Sequence, residues 1–265
     1  MKIALTVGHS VPKNGNITSA DGTKFGGVNE YQYNKSLAPY VAKYLRELGN
    51  AVDVIVCPEK QFSASTEEKA YKLDIVNNGT YDLVVELHLN AAATATAKGT
   101  EVLYISDGGK VYAERVQAKL KTLFEDRGIK HRDDLYMLTK TKPTAIMLET
   151  FFCTNPSDCK IGEDQDKIGK IIAEGIANKT ITGLPAPKDN ITRNSSKDDI
   201  KWLQDKLNKA LPDYTYIPLD NDGIYGAKTR IAVLMYWESR GWNQDGKDTG
   251  WIVGSGTREA LAKII

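Results

Sequence analysis

Long apolar runs, an excess of one charge sign and export signals are all scarce in this chain of 265 residues. No apolar stretch approaches the roughly 20 residues that a membrane-spanning helix needs, so we expect no membrane insertion. The formal net charge is only +1, which argues against nucleic acid or an anionic membrane surface as a partner held by bulk electrostatics. The apolar run in residues 1–7 is too short for a signal peptide, so we expect synthesis in the cytoplasm without an export signal.

Cysteine and histidine are also rare, with three residues of each type. Cys57, Cys153 and Cys159 are odd in number and show no CxxC spacing, which favours reduced thiols over a disulfide framework or a cysteine zinc site. A bond between Cys153 and Cys159 is the alternative. The scarcity of histidine matters because two of the three, His9 and His88, follow predicted strands.

The first 181 residues alternate short apolar segments with segments of helical spacing. Strands are predicted over residues 2–7, 52–56, 82–88, 101–105 and 144–149. Helices are predicted over residues 29–48, 65–77, 110–124 and 168–176, with a kink or a late helix start at Pro39. This alternation predicts an α/β domain with a mostly parallel, twisted sheet and helices on both of its faces.

The composition changes after residue 181. Residues 182–197 hold two prolines and show no periodicity, which is typical of a linker. Residues 198–265 are predicted to form a separate small helical, all-α domain. Within it, the pattern Gly-x-x-Thr-Arg-x-Ala at residues 226–232 returns 28 positions later, which predicts two similar junctions where a glycine turn precedes a threonine helix cap. The expected domains are therefore 1–181 and 198–265, joined by the linker 182–197.

Four side chains suited to a zinc hydrolase stand where loops should leave strands. His9 follows the first predicted strand, His88 ends the third and Glu149 ends the fifth, while Glu30 opens the first helix. Each one alone fits a surface or capping role at least as well. Their convergence on the carboxyl edge of a parallel sheet favours a site, because a catalytic zinc takes three such ligands and keeps one position for water. The third histidine, His131, is expected to be solvated, with an approach to substrate from a loop as the alternative.

At these residues the chain resembles the zinc-dependent N-acetylmuramoyl-L-alanine amidases of the type 3 group. The resemblance covers about residues 1–180, and the motifs occur in the order of that family. They are Gly8-His9, Gly26-Gly27-Val28-Asn29-Glu30, His88-Leu89-Asn90 and Glu149-Thr150-Phe151-Phe152-Cys153-Thr154-Asn155. The resemblance implies a phosphorylase/hydrolase-like α/β fold.

The resemblance also implies a mechanism. His9, Glu30 and His88 would hold Zn²⁺, and Glu149 would take the proton of the attacking water and deliver it to the departing amine. The family often has Ser two positions before its second histidine, where this chain has Glu86. Because Glu86, His88 and Asn90 share one face of a strand, we expect Glu86 and Asn90 to contact substrate or to orient a ligand. A buried ion pair is the alternative for Glu86.

Residues 198–265 resemble the peptidoglycan-binding domain 1 family of small three-helix modules. The resemblance rests on Asp222-Gly223-Ile224-Tyr225-Gly226 and Thr229, whereas Tyr236-Trp237 and a longer loop at 243–250 depart from that family. It implies bacterial peptidoglycan as the partner. Tyr225, Trp242 and Trp251 are the candidate wall-binding residues. Core packing is an equal alternative for Trp242 and Trp251 and is the expectation for Trp202 and Trp237.

Together these features predict a peptidoglycan hydrolase that cleaves the amide between N-acetylmuramic acid and L-alanine. A zinc peptidase of the stem peptide or cross-link is one rival, although such enzymes bring their first His and Glu closer than the 21 positions found here. An inactive wall-binding protein is another. The missing export signal favours a phage endolysin that acts on the wall after release, with a bacterial autolysin as the alternative.

Overall fold

The computed structural model describes residues 1–181, 184–211, 218–242 and 246–264. The chain divides into two compact units, Met1–Ile181 and Thr182–Ile265. Two of the segments predicted from the sequence lie partly outside the described residues: the linker at residues 182 and 183, and the longer loop at residues 243–245. Across the described ranges, no helix is long and apolar enough to cross a membrane.

A six-stranded sheet forms the centre of the first unit. Its strands follow the order β2-β1-β3-β6-β4-β5, and every neighbouring pair is parallel except β4 with β6. The strands are β1 (Lys2–Val7), β2 (Ala51–Ile55), β3 (Leu83–Asn90), β4 (Thr100–Tyr104), β5 (Asp126–His131) and β6 (Thr144–Phe152). The predicted α/β fold with a mostly parallel sheet is confirmed.

Six α-helices accompany the sheet within residues 1–181, all of which are described. They are α1 (Glu30–Glu47), α2 (Ser65–Asn78), α3 (Asp107–Leu120), α4 (Tyr136–Thr139), α5 (Pro156–Gly162) and α6 (Gln165–Ala177), and a short 3₁₀ turn covers Thr23–Phe25. The predicted late start of the first helix at Pro39 is wrong, because α1 runs through that residue. The helix persists there because Leu37, Val41 and Leu45 on its inner face are fully buried.

Strand alternation divides the apolar side chains of the first unit between two layers. Leu5, Val85 and Leu148 belong to a large core that also contains side chains of α1, α3 and α6. Ala4, Val84 and the side chains of α2 and α4 belong to a smaller core. The polar residues of β3 therefore emerge on the more thinly covered layer.

The edge strand β5 was not predicted. Its sequence, Asp-Arg-Gly-Ile-Lys-His, alternates no apolar residues, and none of its residues is buried. This edge strand contributes a single partly buried side chain, Ile129, to the large core, so its residues lack the usual periodicity. As a consequence, the predicted fifth strand is the sixth, β6, which extends three residues further to Phe152.

The second unit contains the helices α7 (Lys197–Ala210), α8 (Ala227–Ser239) and α9 (Ser255–Ala262), as predicted. Gly226 and Gly254 occupy the N-cap positions of α8 and α9, so the repeat does mark two similar helix starts. The threonines of the repeat are not the caps, however. Thr229 accepts a hydrogen bond from Gln204 Nε2 at 3.2 Å, and Thr257 accepts one from Trp237 Nε1 at 2.9 Å. Both threonines anchor the helices in the core of the unit.

Part of the expected linker contributes to this core. Ile191 forms an isolated antiparallel bridge with Val253, and both side chains are fully buried. The carbonyl of Pro187 accepts a hydrogen bond from Arg258. The described residues from Pro187 onward therefore pack with the second unit.

Candidate metal centre

The sheet places three of the four candidate residues at one edge. Strands β1, β3 and β6 are adjacent and parallel, so their carboxyl ends lie side by side. His9 follows β1, and His88 pairs in register with Glu149 near the ends of β3 and β6. Glu30, the first residue of α1, is brought to the same edge by the loop that follows β1.

His9, Glu30 and His88 form a compact group of possible metal ligands. One donor atom from each residue lies within 4.8 Å of the other two. Glu30 Oε1 lies 3.2 Å from His9 Nε2 and 2.9 Å from His88 Nδ1. Tetrahedral zinc with bonds of roughly 2.0–2.2 Å would separate its ligand atoms by about 3.4 Å, so these spacings and this donor set fit such an ion.

The backbone around His9 is unusual. His9 has a φ of 64°, in the left-handed region that residues other than glycine seldom occupy. Gly8 precedes it, and a β-carbon on Gly8 would lie 2.2 Å from Cε1 of the His88 ring. Such strain persists only where surrounding contacts impose it, and it is commonly found at functional sites.

Glycines also position Glu30. A β-carbon would stand 1.8 Å from the Cys153 carbonyl oxygen at Gly22 and 1.9 Å from it at Gly27, so the loop packs directly on the backbone after β6. The carboxylate of Glu30 then accepts two backbone hydrogen bonds, from the amide of Ala20 to Oε2 and from the amide of Leu89 to Oε1, both at 3.1 Å. These bonds leave the carboxylate with little freedom to rotate.

The charges around the group favour a cation. Burial by itself raises the pKa of Glu30, but hydrogen bonds to His88 and His9 outweigh it and hold that pKa well below its usual range. Burial lowers the pKa of His88, and hydrogen bonds to Glu30 and Glu86 more than reverse this effect and raise it to about 10. A site that stabilises positive charge on His88 suits a metal cation that replaces the proton.

Glu149 differs from Glu30 in having no close hydrogen-bond donor. Burial raises the pKa of Glu149 to about 7; the positive charge of His88 opposes this rise, and the negative charge of Glu30 adds to it. Its Oε2 atom is buried and has no hydrogen-bond partner in the described parts of the chain. A buried carboxylate with a pKa near neutrality has the properties of a general base.

The group opens onto a cleft of about 770 Å³. His9, His88 and Glu149 line it on the sheet side, and Met147 provides an apolar patch beside them. Lys69 of α2 and Tyr136 of α4 line the cleft as well, with the Lys69 ammonium 5.8 Å from the Tyr136 ring centre. The cleft is large enough for a sugar residue and part of a peptide to reach Glu149.

The other two polar residues of β3 have different surroundings. Glu86 is buried, forms an ion pair with Lys72 and places Oε2 3.4 Å from His88 Nε2. Asn90 instead donates a hydrogen bond to Glu101 Oε1 at 2.8 Å and is not among the residues that line the cleft. Both alternatives considered for Glu86, contact with a candidate ligand and a buried ion pair, are thus present in the structure.

His131 lies at the surface, as expected from the sequence, whereas the burial of Lys72 was not expected. His131 is exposed at the end of β5 with Nε2 3.1 Å from the carbonyl of Ile105, and it does not join the candidate ligands. Lys72 was missed, since it occurs in the polar helical segment Glu-Glu-Lys-Ala-Tyr-Lys. Its neighbours Leu73 and Val76, which face the small core, were the only signal that this side of α2 is buried.

Comparison with known proteins agrees with this arrangement. A family model for N-acetylmuramoyl-L-alanine amidases matches residues 3–178, which include all four candidate residues. The chain belongs to this amidase family. The match covers nearly the whole of the first unit, hereafter the amidase unit.

Two solved structures resemble the amidase unit. The catalytic domain of the CD27L endolysin targeting Clostridia Difficile is 52% identical, with a TM-score of 0.66, and covers 69% of this chain and 99% of that one. The N-acetylmuramoyl-L-alanine amidase from Clostridium difficile 630 is 25% identical with a TM-score of 0.56, and it covers 67% of this chain and 95% of that one.

Curated relatives are more distant. A probable autolysin of Staphylococcus aureus is 28% identical over 201 residues, covering 70% of this chain and 40% of that protein. Two uncharacterised proteins of Clostridium perfringens are 29% and 28% identical, covering 83% and 76% of this chain. The chain spans 63% and 59% of the length of the two Clostridium perfringens proteins and 40% of the length of the autolysin.

Outside the amidase unit, the three candidate wall-binding residues differ in exposure. Tyr225 is buried, and its hydroxyl donates to the carbonyl of Gly250 at 2.8 Å. Trp242 is 38% exposed. Trp251 is partly buried, with the guanidinium groups of Arg193 and Arg230 lying 4.7 Å and 5.4 Å from its ring centre. Trp202 and Trp237 are buried in the core, as expected.

Proposed function

We propose that this chain is a zinc-dependent N-acetylmuramoyl-L-alanine amidase, which hydrolyses the amide joining N-acetylmuramic acid to L-alanine in bacterial peptidoglycan. One observation carries the proposal: His9, Glu30 and His88 converge within 4.8 Å at a cleft that Glu149 also lines, in a chain of the amidase family. The identity of 52% to an endolysin catalytic domain supports action on the cell wall.

The donor set favours zinc. Two imidazoles and one carboxylate are ligands that catalytic zinc commonly takes, and a bound Zn²⁺ would polarise the scissile carbonyl and lower the pKa of water to about 7. Two neutral histidines and one carboxylate leave a net positive charge at the centre. The low pKa of Glu30 means that this carboxylate is ionised and ready to act as a ligand at neutral pH.

Glu149 is the residue we propose as the proton carrier. Its pKa of about 7 leaves a substantial fraction of the carboxylate ionised at neutral pH, and its unpartnered Oε2 is free to accept a proton from the attacking water. Once protonated, the same group can donate to the nitrogen of the departing alanine. Because the oxygen is buried, this proton is shielded from exchange with bulk water.

Glu86 and Asn90 have supporting roles in this proposal. Glu86 Oε2 lies 3.4 Å from His88 Nε2, on the side of the ring away from Glu30, where it would orient that ring. Asn90 binds Glu101, whose other oxygen lies 3.4 Å from Arg127 Nε. We propose that the contact between Asn90 and Glu101 holds strand β4, which lies beyond β6 from β3, and that Asn90 does not touch the metal.

The carboxyl-terminal unit is proposed to be the wall-binding module. In this arrangement residues 1–181 form the amidase domain and 198–265 the binding domain, and the part of the 182–197 linker from Pro187 onward packs with the binding domain. Trp242 and Trp251 are the proposed contacts with the wall, because aromatic faces suit sugar rings. Tethering a binder to the enzyme raises its local concentration at an insoluble substrate.

Action on the wall after release, as in an endolysin, is the proposed setting. The similarity to the endolysin catalytic domain supports it. The similarity to a probable autolysin supports the alternative of a bacterial wall enzyme.

The test is digestion of purified peptidoglycan by the whole protein, with mass spectrometry of the released fragments. An amidase produces stem peptides that begin with free L-alanine and glycan strands with free lactyl carboxyl groups. New ends inside the stem peptide would instead identify a peptidase, and no new ends at all would identify a binding protein. Chelator treatment should stop the release, and added Zn²⁺ should restore it.

A further inference from the structure

A buried lysine lies directly behind the candidate metal centre. Lys72 of α2 is only 3% exposed, although lysine is seldom fully buried without a partner. Its ammonium forms an ion pair with Glu86 and donates to the carbonyl of Val7 at 3.2 Å. Removing both charges of such a pair from water is costly, so the pair calls for a functional explanation.

The two ring nitrogens of His88 face two different carboxylates. Nδ1 lies 2.9 Å from Glu30 Oε1, and Nε2 lies 3.4 Å from Glu86 Oε2. A neutral imidazole carries one N–H donor and one acceptor nitrogen. When Glu86 takes the Nε2 proton in a hydrogen bond, Nδ1 is the nitrogen left to act as a ligand on the side of Glu30.

Glu86 needs a cation to hold this position. Glu149 lines the same cleft as Glu86, and Glu30 contacts the other side of the His88 ring, so repulsion between these carboxylates would displace Glu86 if no cation held it. Lys72 supplies the opposing charge, and the Val7 carbonyl holds the ammonium in place. Lys69, one turn earlier on α2, is exposed and has its ammonium near the Tyr136 ring instead.

We propose that Lys72 is a positioning residue of the metal centre: by pairing with Glu86, it holds the carboxylate that orients His88 with Nδ1 toward Glu30. This inference rests on the proposed function only in taking His88 as a ligand. Among the described residues, the polar contacts of the Lys72 ammonium are Glu86 and the Val7 carbonyl, and none is to a candidate ligand. The proposed effect of Lys72 on metal binding passes through Glu86, and the double variant separates this route from the contact with the Val7 carbonyl.

Zinc affinity of the whole protein tests the proposal without relying on activity. Competition with a chromophoric chelator gives Kd for the wild type, Lys72→Met, Glu86→Gln and the double variant. We expect Lys72→Met to raise Kd by about 10–100-fold, the effect typical of losing a group that orients a ligand. In the Glu86→Gln background the same change should leave Kd unaltered, because Lys72 acts through Glu86.

Lys119→Met is the matched control. Lys119 pairs with Glu174 at 2.9 Å between α3 and α6, and the Glu174 side chain is 8% exposed, so this variant also leaves a buried carboxylate without its lysine. We expect its zinc Kd to equal that of the wild type. An equal rise in Kd for Lys119→Met and Lys72→Met would show that the loss of zinc affinity comes from general destabilisation of the fold. That result would overturn the proposal.

Other outcomes are equally decisive. An unchanged Kd in folded Lys72→Met, or additive effects in the double variant, overturns the positioning role. If Lys72→Met does not fold, the comparison of Glu86→Gln with the double variant, which has no unpaired charge, still applies. Wild-type protein that binds no zinc overturns the proposed metal centre and this inference together, whereas binding without amide cleavage overturns only the proposed activity.

Nitrogen-15 spectra of the imidazoles give an independent readout. The chain has only three histidines, so His88 can be assigned in the metal-free protein by single substitutions and then followed in the wild type as zinc is added. In the zinc-loaded wild type we expect His88 Nε2 to keep a slowly exchanging proton and Nδ1 to show the shift of a metal-bound nitrogen. In Lys72→Met the Nε2 proton should exchange faster; metal on Nε2 in the wild type contradicts the assignment.

Discussion

Gly8 and the ring of His88 are in such close contact that a β-carbon at position 8 would stand 2.2 Å from Cε1 and 2.4 Å from Nε2. Only glycine leaves room for this ring. The Gly8-His9 pair therefore serves two candidate ligands at once, because it carries His9 and accommodates His88. The contact explains why a glycine directly precedes the first histidine.

Gly8→Ala should displace the His88 ring and weaken zinc binding. A displacement of about 1 Å at a catalytic site can cost on the order of 100-fold in rate, and we expect at least this loss in amide hydrolysis. Zinc content after dialysis and the rate of wall clearance measure the two effects. Gly49→Ala is the control, since Gly49 has a φ of 85° but nothing within 4 Å, and it should lose about 1 kcal/mol of stability while keeping its zinc.

Glu149→Gln should keep the metal and lose the reaction. The amide cannot accept a proton as the carboxylate does, so we expect kcat to fall by about 10²–10⁴-fold while zinc content stays at one ion per chain. Glu174→Gln, a neutral substitution of another buried glutamate, is the matched control. Wall digestion by Glu149→Gln at the wild-type rate would show that another residue moves the proton.

The pH dependence of kcat/KM follows from the same carboxyl. Burial raises the pKa of Glu149 to about 7, and a general base acts only when it has lost its proton, so the rate should fall as the pH drops through its pKa. The positive charge of bound zinc favours the ionised form, which moves this midpoint to about 7 or below. An acid limb well above pH 8 on a soluble muropeptide would assign the base to a different group.

The three cysteines should be unreactive in the folded protein. Cys57, Cys153 and Cys159 are buried free thiols, and burial raises their pKa values to about 11, 12 and 11. Because the thiolate is the reactive form, we expect almost no modification by an aromatic disulfide reagent at pH 8 and three reacting thiols after unfolding. One reacting thiol after unfolding without reductant would instead indicate a Cys153–Cys159 bond.

Tyr225 and Trp242 should respond differently to substitution. Tyr225→Phe removes the buried hydrogen bond to Gly250 and should cost about 1 kcal/mol of stability with little effect on wall binding. Trp242→Ala removes an aromatic face that is 38% exposed and should weaken co-sedimentation with purified walls while leaving the unfolding midpoint nearly unchanged. The reverse pattern would move the wall contact from Trp242 to the surface around Tyr225.

Several elements could be predicted because their signals are local. The apolar run in β1 and the Leu37, Val41 and Leu45 spacing in α1 reflect burial against their neighbours, and burial produces periodicity in the sequence. The edge strand β5 contributes only the partly buried Ile129 to the core and has no such periodicity. The antiparallel direction of β4 against β6 also depends on long-range pairing that no short segment records.

The sequence by itself determined the α/β class and the residues able to bind a cation, since strand ends in a parallel sheet share one edge whatever the details of packing. Only the tertiary structure decided which neighbours those residues meet. It paired Lys72 with Glu86 and Asn90 with Glu101, and it left Oε2 of Glu149 buried without a hydrogen-bond donor among the described residues. The physical reason is that pKa shifts, ring orientation and buried ion pairs depend on distances between residues far apart in the chain.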